Sequence, residues 1–79
     1  MSSKVLVTGG LGWMGSRLIQ RLAHEKREIV CVDFYDASKN KLPKFLRNYN
    51  KLKIVSGDIR KPHEFIKEFK DCDAVFNIA

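Results

Sequence analysis

The chain has 79 residues, 44% of them apolar and 30% charged, with a formal net charge of +6. That balance excludes a disordered segment, yet so short a chain buries a smaller fraction of its surface than a complete α/β domain, so marginal stability is expected. Cys31 and Cys72 stand far apart with no C-x-x-C and no histidine at ligand spacing, which argues against zinc or a redox pair, and no apolar run reaches membrane length.

Lys4 to Thr8 reads as a first strand, its Val5-Leu6-Val7 core apolar throughout. Thr8 to Ser16 is a glycine-rich turn: Gly10, Gly12 and Gly15 satisfy G-x-G-x-x-G, and Gly9, Gly12 and Gly15 satisfy G-x-x-G-x-x-G. Both spacings describe one device, in which a strand enters a tight turn, absent side chains admit a pyrophosphate to the backbone, and a helix N-terminus presents free N–H groups. A dinucleotide diphosphate is the guest this device suits. The helix that follows starts near Trp13 and carries Met14, Leu18 and Leu22, with Ile19 alongside, as one apolar stripe. His24, Lys26 and Arg27 near its end suit the helix dipole, which makes His24 a surface residue rather than a ligand.

Glu28 to Val32 reads as a buried parallel strand ending on Asp33, the acidic residue expected about 20 positions after the glycines. A polar loop runs to Asn40. Leu42, Phe45, Leu46 and Tyr49 then fall at helical spacing, with Pro43 in the first turn, and predict a second helix over Leu42 to Tyr49. Lys53 to Ser56 is a third strand, and Gly57-Asp58-Ile59 a loop. Pro62 opens a predicted third helix that turns Phe65, Ile66 and Phe69 inward, holds Glu64 in its first turn and leaves His63 exposed. Asp71 to Asp73 turn the chain into a fourth strand, Ala74 to Ile78. Strands alternating with helices predict an α/β fold, a four-stranded parallel sheet with three helices and right-handed crossovers. In the dinucleotide-binding order the sheet reads 3-2-1-4, with the glycine turn beside the switch between strands one and four.

Lys39, Lys41, Lys44, Arg47, Lys51 and Lys53 form a run without an acid. A polyanion-binding face is one reading. A solvated face whose acids lie elsewhere is favoured, because the spacing is irregular and Phe45 and Tyr49 have partners to pack against. Nucleic acid is therefore an unlikely partner, and no membrane partner is expected. With no signal peptide visible at Met1-Ser2-Ser3, a reducing cytoplasmic setting fits.

These residues resemble the extended short-chain dehydrogenase/reductases, the NAD-dependent epimerase/dehydratase group acting on nucleotide sugars. TGGLGWMG from Thr8 to Gly15 is similar to the family's TGGxGxxG; Val32-Asp33 matches its V-D; Gly57-Asp58-Ile59-Arg60 matches G-D-[IL]-R. Asp73 to Ala79 resembles D-x-V-F-H-L-A, departing at Asn77 for His and Ile78 for Leu. The resemblance implies the N-terminal half of a Rossmann fold, residues 1–79, cut after strand four, with NAD as cofactor. It implies a site of Gly9, Gly12 and Gly15, with Trp13 and Met14 offering backbone N–H groups to the pyrophosphate. Asp33 would bind the adenosine ribose, Asp58 the adenine amino group beside the Ile59 backbone, and Ile78 and Ala79 would wall the cofactor. Taken alone, Asp58 reads as a turn residue and Ile78 as core.

The family's Tyr-x-x-x-Lys pair and most sugar-nucleotide contacts lie on later elements, so no catalytic residue is assigned here. Tyr35 and Lys39 have that spacing but sit in the loop after strand two, on the adenosine side. The expected function is thus the NAD-binding portion of a nucleotide-sugar epimerase/dehydratase-like oxidoreductase, inactive alone. Its fourth strand would be an exposed edge, open to self-association. Two alternatives are a non-catalytic dinucleotide-binding or scaffold module and a small basic nucleic-acid-binding domain.

Overall fold

The computed structural model describes residues 4–34, 44–58 and 60–78. Four parallel strands, β1 (Lys4–Thr8), β2 (Glu28–Asp33), β3 (Leu52–Ser56) and β4 (Ala74–Asn77), form one sheet in the order β3-β2-β1-β4. Val5 pairs with Ile29 on one side and Ala74 on the other, and Ile29 continues to Leu52. This register brings Thr8, Asp33 and Asn77, the last residues of three strands, to the same edge.

Alternation along the strands divides the core between two faces. Val5, Val7, Ile29 and Cys31 face α1 (Trp13–His24) and Leu46, packing with Ile19 and Leu22, while Leu6, Val30 and Val32 face Phe65 on the other side. β1 and β2 are apolar without a break because both of their faces are covered. β4 is exposed along its whole length, with Val75 and Phe76 uncovered.

Helix α1 begins where expected, but its inward face differs. Gly15, Ile19 and Leu22 are buried and Met14 is 64% exposed. Gly15 is the reason: a Cβ there would be driven into the Gly9 carbonyl, so the helix start lies directly on the turn. With Gly15 set against the turn, Met14, about 100° round the helix, is rotated away from the sheet.

The other two predicted helices are corrected. The second is a single turn, α2 (Lys44–Arg47), closed by Asn48 N–H on the Lys44 carbonyl. Leu42, Pro43 and the Phe45 side chain lie outside the described residues. Tyr49 falls beyond the turn and is half-buried, its hydroxyl donating to the Arg27 carbonyl. The third is two 3₁₀ turns, Pro62–Glu64 and Ile66–Phe69, interrupted at Phe65, where φ is −139°. Its N–H groups bond three residues back, as from Phe65 to Pro62 and Glu68 to Phe65. At three residues per turn, positions i and i+3 share a face. Phe65 (3% exposed) and Glu68 therefore point in, whereas Ile66 (64%) is turned out and Phe69 stays at the rim, its ring 5.7 Å from that of Phe65. Buried Glu68 accepts from Lys53 Nζ at 3.2 and 3.3 Å, which supplies one acid missing from the basic run.

The contact under Gly15 yields a stability prediction. Gly15→Ala places a methyl against backbone that cannot swing aside and should destabilise the chain by about 1–3 kcal/mol, whereas exposed Met14→Ala should change stability by less than about 0.5 kcal/mol. Urea midpoints of the two variants compare them directly; a Gly15→Ala midpoint equal to wild type would mean that the helix start is not held against the turn.

Candidate functional site

The site grows from the turn between β1 and α1. Gly9 takes φ 73°, a conformation that favours glycine, and its N–H bonds the Val32 carbonyl at 2.8 Å. Gly12 N–H then reaches back to the Gly9 carbonyl (3.2 Å), and Ser16 N–H to the Gly12 carbonyl (2.9 Å) makes the first bond of the helix. The N–H groups of Trp13, Met14 and Gly15 precede that bond. Among the described residues no side-chain cap meets them and no acid stands in the first turn, so the helix start offers donors and a partial positive charge.

The glycines of the turn are not equivalent. A Cβ on Gly10 would meet Cys31 Sγ and Ile19 Cδ1 at 2.5 Å, and one on Gly15 would strike backbone. Packing inside the chain accounts for both. Gly12 is exposed, has φ −77° and ψ 177°, and among the described residues its added Cβ would meet only the Gly9 carbonyl at 3.5 Å, an ordinary contact. Neither conformation nor packing among the described residues requires glycine there. Its bare backbone leaves open space for something outside the chain.

Asp33, half-buried at the end of β2, closes the crevice. Its Oδ2 accepts from Leu11 N–H at 3.0 Å and its Oδ1 from Phe34 N–H at 2.7 Å, tying the turn to β2. Each oxygen retains capacity for a further donor. Cys31 lies beneath the turn, fully buried, and burial, with Asp33 adding to it, pushes its thiol up to about 12, so it is inert core.

Gly9, Gly12, Trp13, Met14, Gly15, Asp33 and Ile78 line one crevice at the carboxyl edge of the sheet. Asp58 does not join them. It is buried after β3, where its Oδ1 accepts from the Arg60 backbone N–H (2.9 Å) and Nε (3.0 Å) and its Oδ2 from Nη2 (2.8 Å). The Arg60 side chain, with the Arg60 backbone N–H, holds the carboxyl down at about 2. Ile59, Ala79, Tyr35 and Lys39 lie outside the described residues.

A second hollow lies at the opposite end of the strands, between Lys4, Glu28, Lys51, Lys53 and Glu68. Its Lys53–Glu68 pair is already satisfied, and it is remote from the strand carboxyl ends where α/β sheets bind ligands. His24 and His63 are both exposed, and among the described residues no group of three His, Cys, Asp or Glu could hold a metal ion. No helix of the described residues is long and apolar enough to cross a membrane.

Two contacts were not anticipated from the sequence. Thr8 Oγ1 donates to Asn77 Oδ1 at 2.7 Å, fixing the side chain at the end of β4. The Arg17 guanidinium lies 4.3 Å from the centroid of the Trp13 ring; the i, i+4 spacing of the two residues was the available signal.

The chain is similar in sequence and fold to known proteins. UDP-glucuronic acid decarboxylase 6 of Arabidopsis thaliana is 30% identical over 78 residues, 96% of this chain and 21% of that protein. An epimerase from Methanothermobacter thermautotrophicus superposes with a TM-score of 0.78 at 31% identity, over 99% of this chain and 23% of the other. The Bordetella bronchiseptica enzyme WbmH, solved in complex with NAD+, gives 0.79 at 25% identity over 100% of this chain and 26% of that one. The chain thus spans about a quarter or less of the length of each of these proteins. With a strand, a glycine turn and a helix start arranged as described, and residues 5–79 matching the NAD dependent epimerase/dehydratase family, the chain belongs to that family.

Proposed function

We propose that the chain is the cofactor-holding portion of a nucleotide-sugar epimerase/dehydratase-like oxidoreductase, with NAD as the dinucleotide. The observation that carries this reading is Gly12, whose missing side chain packing among the described residues does not require and an approaching diphosphate does. The donor set fits as well: free N–H groups of Trp13 and Met14 suit phosphate oxygens, and Asp33, with an acceptor to spare on each oxygen, suits ribose hydroxyls. Ile78 walls the same crevice, and Ala79 follows it.

At the adenine end the reading assigns Asp58 and the Ile59 backbone. There Asp58 shares its carboxylate with Arg60, so an adenine amino group competes with the guanidinium for its oxygens. When bound, NAD would supply hydride exchange with the substrate; this chain's part is to bind and orient it and to keep Cys31 buried beneath it. The substrate class is a sugar nucleotide, in line with the UDP-glucuronic acid named for the Arabidopsis relative, held by parts of a parent protein beyond these residues. A reducing cytoplasm suits the free thiols of Cys31 and Cys72. The exposed edge of β4 makes self-association the accompanying expectation for the chain by itself.

Gly12→Val tests the reading. The variant should keep the wild-type melting curve, because the position is open and extended, and should weaken NADH binding by at least about tenfold, or about 1.4 kcal/mol. Trp13 is the single tryptophan, so NADH titration can be followed by its emission. Equal quenching in both proteins would sink the proposal.

Cofactor choice follows from Asp33. Its carboxylate repels a 2′-phosphate, so NAD should bind about tenfold more tightly than NADP, and Asp33→Asn should narrow the gap. Side-by-side titrations decide it, and tighter NADP binding by the wild type would reverse the assignment.

The Asp58–Arg60 pair sets a pH dependence. A carboxyl depressed to about 2 contributes stability that is fully present above its unfolded value, near pH 4, and lost as pH falls through about 2. Arg60→Gln should bring the Asp58 titration back toward the ordinary carboxylate range, as followed by the carboxyl carbon resonance. A midpoint left at about 2 would show that Arg60 is not the cause.

A further inference from the structure

Trp13 occupies the first position of α1, lines the crevice, and is 72% exposed, a large apolar surface to leave in water. Arg17 does not line the crevice; its guanidinium meets the indole instead, 4.3 Å from the ring centroid. Among the described residues no carboxylate forms a salt bridge with Arg17, in contrast to Arg21, Arg27 and Arg60, each of which has one. The ring is thus held by a cation that no carboxylate among the described residues pairs, five residues after the bare backbone of Gly12.

We propose that Arg17 is a positioning residue of this site: its cation–π contact holds the Trp13 indole at the lip of the crevice, and its charge, unpaired among the described residues, favours an anionic diphosphate there. The inference rests on the dinucleotide reading of the crevice and adds to it a residue that touches no cofactor. Cation and ring each have a separable part. Removing the charge while keeping the stem frees the indole and lowers the local potential, whereas lysine keeps the charge but stacks less well on the ring.

Arg17→Met and Arg17→Lys, both at an exposed position, are compared with wild type and Gly12→Val by two measurements: Trp13 fluorescence anisotropy without ligand, and NADH affinity across a series of NaCl concentrations. Arg17→Met should lower the anisotropy, weaken NADH binding about two- to fivefold at low salt and flatten its salt dependence. Arg17→Lys should retain the salt dependence and lose part of the anisotropy. Unchanged affinity in Arg17→Met overturns the inference whatever the anisotropy does, since the contact would then be structural only. Loss of binding in Gly12→Val alongside unchanged binding in Arg17→Met overturns the role of Arg17 and leaves the crevice reading standing, while absence of NADH binding to wild type overturns both.

Discussion

The structure depends on one close approach, the start of α1 against the backbone of Gly9 and Gly10. Gly15 has no side chain to hold the helix off, and Gly10 has none to displace Cys31 and Ile19. The helix therefore begins directly on the end of β1, and its first N–H groups come to the carboxyl edge of the sheet. Packing density leaves no slack in this contact. The same contact selects the buried face of the helix, Gly15, Ile19 and Leu22, and turns Trp13 and Met14 toward the crevice.

Electrostatics around the crevice run in one direction. The helix start offers partial positive charge without an acid in its first turn, and Arg17 adds a cation not paired among the described residues. Asp33 is the exception. Its two oxygens are anchored by Leu11 and Phe34 N–H groups, which fix the carboxylate while leaving it able to accept more. Asp58 stands in contrast: Arg60 donates to both oxygens, so the same residue type two positions beyond the next strand organises its own loop.

The sheet is unevenly covered. β1 and β2 are buried on both faces, whereas β4 is exposed throughout and Phe65 supplies most of the apolar cover on the face opposite α1. The 3₁₀ turns around Phe65 present two inward residues, one of them an acid, where an α-helix would present a longer apolar stripe. Glu68 is tolerated inside because Lys53 meets both of its oxygens.

Much of this was legible in the residue order. Unbroken apolar runs at Val5 to Val7 and Ile29 to Val32, separated by a helical pattern, specify parallel strands joined by a right-handed crossover, and the dinucleotide-binding glycine turn between them points to the order β3-β2-β1-β4. The glycine spacing located the turn, and Asp33 its acidic partner, because a tight turn and a helix start are local requirements written in adjacent residues. Tertiary structure decided the rest. Which side of α1 faces inward depends on how closely Gly15 can approach Gly9. Phe65 turns inward as its spacing indicated, but Glu68 joins it there in place of Ile66 and Phe69 because the segment winds at three residues per turn over a short sheet. Arg60 closing on Asp58, and Lys53 reaching Glu68 fifteen residues later, join side chains across a loop or between separate elements. Periodicity reports the face of one element at a time and carries no information on which charged side chain a fold will bring within reach of another.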